Sequence, residues 1–153
     1  MLGIFSAIET LLDKHHQKVR SRQFLEAAMG ASAMLALADG EISFAELMAR
    51  DYVLDHVKQL QIFNPNEASD LFCNYAEAIS NNPQIGKANV LEAIAQFSGD
   101  QELASLLLRI CLVIAKADGN CSPSELEVIN TFCDVLGLEE VEIVLQPIVK
   151  SIA

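Results

Sequence analysis

The sequence predicts an all-α protein: a single compact bundle of seven or eight helices, built on a duplicated helix hairpin with two apolar central helices. Three observations carry that expectation. First, 52% of the 153 residues are hydrophobic, but they are chiefly Ala, Leu and Ile, with no Trp and two Tyr, a composition that favours helices over strands. Second, two long runs, 22–38 and 103–117, are apolar on nearly every side of a helical wheel, as helices at the centre of a bundle are. Third, the end of the first run, Ser32 to Ser43 (SAMLALADGEIS), returns 79 positions later as Cys111 to Ser122 (CLVIAKADGNCS).

Each element follows from local signals. Residues 3–19 place Ile4, Ile8, Leu11, Leu12 and Val19 near one face, with Glu9, Asp13, Lys14 and Lys18 mostly opposite, the spacing of an amphipathic helix. The first central helix, from about Arg22 to Ala38, is rich in small residues that let neighbours approach closely. Ser43 opens a third helix, with Leu47, Met48, Val53, Leu54 and Val57, running to about Leu60. Asn64-Pro65-Asn66 caps a fourth, which carries Leu71, Phe72, Tyr75, Ala76 and Ile79 and stops at Ser80-Asn81-Asn82-Pro83. Ile85 to Phe97 makes a fifth, Asp100 caps the second central helix, and Ser122-Pro123 opens a seventh through Leu126, Ile129, Phe132, Cys133 and Leu136, closed by Gly137. A short eighth near 139–149 contains Pro147 and should kink there. No linker or low-complexity stretch divides residues 1–153, so one domain is expected.

Charge excludes some functions. The net charge is −11, yet residues 1–22 carry +2, so the body from 23 to 153 carries −13. Such a field repels nucleic-acid phosphates and favours cations or basic partners. Nucleic-acid binding by the body is not expected. The four cysteines, Cys73, Cys111, Cys121 and Cys133, have no metal-finger spacing and are expected to be reduced; Cys73, Cys111 and Cys133 fall in apolar helical patterns, where Cys acts as a small hydrophobe. No secretory leader pattern opens the chain, and its apolar runs fall short of the ~20 residues that span a bilayer. A cytoplasmic chain is expected.

The repeated turn is the informative motif. Its copies, Asp39-Gly40-Glu41-Ile42-Ser43-Phe44-Ala45-Glu46 and Asp118-Gly119-Asn120-Cys121-Ser122-Pro123-Ser124-Glu125, share Asp, Gly, Ser and Glu. Glycine suits the left-handed backbone that ends a helix. Ser43 with Glu46, and Ser122 with Glu125, have the spacing of capping boxes, and Pro123 suits the first helical position. Asp39 and Asp118 are the anomaly, because an acid at a helix C-terminus costs about 0.3–1 kcal/mol against the helix dipole. Two compensations stand open: an Asx-type turn, in which the carboxylate accepts amide hydrogen bonds from its own loop, or a cation. Asp39, Glu46, Asp118 and Glu125 supply hard oxygens of the kind that Ca²⁺, Mg²⁺ or Mn²⁺ accept. The loop is not an EF-hand. Four carboxylates pool only if both turns lie at the same end of the bundle.

The doubled Ala-Asp-Gly-x-x-Ser-x-x-Glu, the segment Ile85-Gly86-Lys87 and the run LLLRICLVIAKADGN from Leu106 to Asn120 resemble the TerB family of tellurite-resistance proteins, which is related to the N-terminal region of the DjlA membrane-anchored co-chaperones. The resemblance covers nearly the whole chain. It implies a compact helical domain of bacterial cytoplasm, linked to tellurite and other chemical stress, associated with other Ter components, and binding metal through acidic motifs; carried over, the ligands are again Asp39, Glu46, Asp118 and Glu125. It gives Lys87 no role. Catalysis is not expected: His15 and His16 sit in the charged amino-terminal segment, His56 follows Asp55, and no Glu-x-x-His pair, phosphate loop or Ser-His-Asp set is present. The rival function is an interaction module, in which the repeated turns are helix caps, the basic first helix touches anionic lipid or an acidic partner, and the acidic body docks other proteins. Tellurite itself, an oxyanion, is a poor ligand for an acidic face. The sequence does not fix the oligomeric state.

Overall fold

The computed structural model describes residues 20–57, 60–61, 63–117, 119 and 121–139. Among these there are six helices and no strand. They are α1 (20–36), α2 (Phe44–His56), α3 (Pro65–Asn81), α4 (Pro83–Ala95), α5 (Gln101–Ala115) and α6 (Pro123–Leu136). The expected helices at 3–19 and 139–149 lie outside the described residues, apart from Glu139. The all-α expectation holds.

Capping chemistry sets most of the boundaries. Asn64 accepts from the Asn66 amide at 2.9 Å and is followed by Pro65, whose missing N–H does no harm in the first turn. Asp100 accepts from Leu103 at 3.1 Å and opens α5. Gly137, at φ 70°, closes α6 in the left-handed conformation. One boundary differs from expectation: α2 stops at His56 rather than near Leu60, where Val57 turns to extended backbone.

The two apolar runs are central. Phe24, Leu25, Met29 and Leu35 of α1 are fully buried, as are Leu107, Leu108, Ile110 and Ile114 of α5. Ser32, the polar residue in the middle of α1, satisfies its hydroxyl by donating to the Ala28 carbonyl at 2.6 Å. Around this core α2 packs on α5, α5 on α6, α6 on α4 and α4 on α3. The α3–α4 corner is tight. Asn82 ends one helix and caps the next, and Gly86 brings the two backbones so close that a Cβ there would sit 2.5 Å from the Ile79 nitrogen and Cα. That contact gives Gly86, the middle of the Ile-Gly-Lys segment, a packing role.

Three residues of the expected apolar patterns depart from them: Met48 and Leu126 are exposed, and so is Cys73. Leu126 and Cys73 lie at the edge of their helices' buried stripes, beside Ile129 and Phe72, whereas Met48, two positions after buried Glu46 and five before buried Val53, falls on the opposite face of α2. Cys111 and Cys133 behave as expected: both are buried, and burial, with the nearby Cys133 adding to it, pushes the Cys111 thiol up to about 12, so it remains a neutral packing group.

Candidate acidic site at the joined turns

The hydrogen bonds that finish α1 recur at the end of α5. Leu37 N–H donates to Ala33 O, Ala38 to Leu35 and Gly40 to Leu37 at 3.1, 3.1 and 2.9 Å; Lys116 to Leu112, Ala117 to Ile114 and Gly119 to Lys116 follow at 3.0, 3.2 and 3.0 Å. Gly40 and Gly119 take φ of 93° and 96°, a region L side chains rarely adopt, which is why each turn has glycine there. Both capping boxes are closed. The Ser43 and Ser122 hydroxyls each accept the amide of the Glu three residues on, at 3.1 Å, and Glu46 and Glu125 return Oε1 to the serine amides at 3.1 and 3.3 Å.

The turns meet. The Ser122 hydroxyl, while accepting from the Glu125 amide, donates to Asp39 Oδ1 at 2.8 Å across 83 positions of chain. This bond answers the anomaly of an acid at a helix C-terminus. The first turn's carboxylate is met by the second turn's cap serine rather than by an amide of its own loop. Sequence reasoning assigned Ser122 only a capping role; the signal that could have found the second one is that a capping serine accepts a hydrogen bond and still has a proton to give.

Asp39 also faces Glu125. Asp39 is exposed and Glu125 is 3% exposed. Burial first, then the hydrogen bond and charge of Asp39, push the Glu125 carboxyl above the ordinary carboxylate range, against the lowering effect of the Ser122 hydroxyl and amide. Glu46 is buried as well, at 8% exposure, in the first capping box. Asp118 lies outside the described residues. Among the described residues, no three or more His, Cys, Asp or Glu side chains gather in a group able to hold a metal ion. Asp39 and Glu125 are thus brought together, and Glu46 does not join them in such a group. The donor set at the corner is all oxygen, which suits a hard divalent cation, and two apposed carboxylates are relieved by a proton or a cation. The pair would need further oxygens to complete a coordination shell.

Half of the basic amino-terminal stretch is already engaged. Arg20 stacks 4.1 Å over the Phe97 ring and pairs with Asp100, while Arg22 pairs with Glu26 and Glu67. His15, His16, Lys14 and Lys18 lie outside the described residues, and His56 is exposed, stacked on Tyr52. No helix among the described residues is long and apolar enough to cross a membrane.

An acidic helical domain with two like-built turns, joined through a serine and a carboxylate, is the class that fold and site define. The family model described as tellurite resistance protein TerB matches residues 25–146. The chain belongs to that family. No curated protein and no solved structure is similar enough to match it.

Proposed function

We propose that the protein is a non-enzymatic tellurite-resistance and chemical-stress protein of TerB type that works through the acidic surface at its joined turns, holding a divalent cation there. Ca²⁺, Mg²⁺ and Mn²⁺ are the fitting ions, and of the four expected ligands Asp39, Glu125 and Asp118 are the proposed ones, Glu46 standing apart from Asp39 and Glu125 in its own capping box. The observation that carries the reading is the Ser122–Asp39 bond, which draws the Asp39 carboxylate onto the buried Glu125. The duplicated helix hairpin belongs to the same reading, supported by turn hydrogen bonds that recur 79 positions apart. Its setting is the bacterial cytoplasm, and its partners are other Ter-system or stress-response proteins.

A second reading has its own support. Glu46 and Glu125 each commit an oxygen to a capping box, as they would in a protein whose turns are purely structural and whose surface docks other proteins. The membrane-surface version of that reading is weakened by the acidic partners that Arg20 and Arg22 already have.

Thermal denaturation separates the two. A cation that binds only the native form raises the midpoint, by roughly 2.7 kcal/mol of stabilisation at a hundredfold excess over Kd. EDTA-treated protein should gain stability with Ca²⁺, Mg²⁺ or Mn²⁺ at millimolar levels, and the Asp39→Asn variant should lose most of that gain. Equal midpoints with and without every cation would leave the interaction module as the better reading.

A further inference from the structure

The two turns are built alike, but the helices that follow them are not. On α2, Phe44, Met48 and Tyr52 stand four residues apart and are 76%, 57% and 50% exposed. The counterparts 79 positions on, in α6, are Pro123, Glu127 and Thr131. A helix opened by the same capping box therefore does not need large apolar residues there, and the exposed stripe on α2 is no requirement of the fold. Three large apolar side chains in a row along an exposed helix are a binding feature rather than the scattered exposure usual on a surface. Asp51 and Asp55 are exposed on the same helix, and Glu41 just before it. Arg50 lies over the Phe72 ring at 4.7 Å and donates to Asp51 Oδ1 at 2.9 Å, so Asp51 is already paired, and it is Glu41 and Asp55, at the two ends of the stripe, that carry the outward charge.

We propose that this face of α2 is the docking surface for a basic amphipathic helix of another protein, one that lays aliphatic side chains along Phe44, Met48 and Tyr52 and sets Lys or Arg against Glu41 and Asp55 at the ends of the stripe. The charge chooses this occupant. A second copy of the chain packed antiparallel on the same face would bring Glu41 of each copy against Asp55 of the other in a molecule of net charge −11, and an anionic lipid surface meets the same repulsion. Helix-in-groove recognition of this kind reads apolar anchors at i, i+4 and i+7, with flanking charges fixing orientation. The proposal does not depend on cation binding at the turns.

The test uses the full chain and a dye-labelled helical peptide of about 18 residues, roughly 27 Å long, with Leu on one face and Lys on the flanks, beside a version with Glu in place of Lys. Fluorescence anisotropy should show binding of the Lys peptide and not of the Glu peptide. Met48→Glu with Tyr52→Thr, which installs the residues α6 carries, should weaken binding by about tenfold or more while leaving the circular dichroism melt unchanged. The Met48 methyl resonance of the unaltered protein should shift on titration, a readout independent of how the variant folds. No binding of the Lys peptide, equal binding by parent and variant, or equal binding of the Glu peptide overturns the proposal. A concentration-dependent dimer in sedimentation equilibrium that the double variant abolishes overturns it in favour of a second copy.

Discussion

Glu125 is asked to do two things that conflict. Its Oε1 closes a capping box on the Ser122 amide, which favours the carboxylate, yet it is buried and faces Asp39, which favours the acid. Its folded pKa is raised above the ordinary 4.5, so the folded state is penalised at pH above the raised value. The penalty lifts as pH falls through it, and below 4.5 both folded and unfolded chains hold the proton and the contribution vanishes. Gln serves equally at this position of a capping box. In urea melts without divalent cations, Glu125→Gln should therefore match or exceed the parent in stability near pH 8, with the advantage shrinking as the pH approaches 4.5; a variant less stable at alkaline pH and unchanged in acid would contradict this. The cross-turn bond makes a second prediction. Ser122→Ala loses both a cap and the bond to Asp39 and should cost about 1–2 kcal/mol. In a double-mutant cycle with Asp39→Ala, which leaves the Ser122 hydroxyl no side-chain acceptor at that position, the coupling should be about 0.5–1.5 kcal/mol, whereas additive effects would mean that the 2.8 Å contact contributes nothing.

Among the elements, the α3–α4 corner and the α2 face show how far the sequence could be read. Caps were plain: Ser43, Asn64, Asp100, Ser122 and Gly137 each sit where hydrogen-bonding chemistry requires them, and the structure places them there. Both central helices were legible because an all-round apolar pattern has one resolution, burial. Amphipathic stripes were less so, since the pattern for α2 and α6 does not say where the stripe ends, and Met48 and Leu126 fall outside it. Gly86 shows a different limit. A helical glycine normally reads as a weak point, and only the approach of the Ala78–Ile79 backbone reveals why one is needed. Gly86→Ala should destabilise by about 1–3 kcal/mol or more, because the atoms it meets are main chain and cannot swing aside. Gly99→Ala, where an added Cβ meets nothing within 4 Å and φ is not positive, is the control and should be neutral or stabilising by up to about 1 kcal/mol. Chemical denaturation of the pair measures both; equal effects would contradict the close-approach account.

At the scale of the molecule, a strongly acidic chain has put two of its carboxylates side by side at the joint between its turns. The repeat and the acids were visible in the sequence, but their meeting was not, because it depends on how chain segments 83 positions apart pack. That meeting is the centre of the functional account. Its most direct test is a Mn²⁺ titration of ¹⁵N-labelled protein, in which a bound paramagnetic ion broadens the amides nearest to it. Substoichiometric Mn²⁺ should broaden Gly40, Gly119 and the Ser122 amide together before any other acidic stretch, and Asp39→Asn should abolish the effect. Broadening scattered over Glu41, Asp51, Asp55 and the rest of the acidic surface, with the two turns untouched, would contradict a cation at the joined turns.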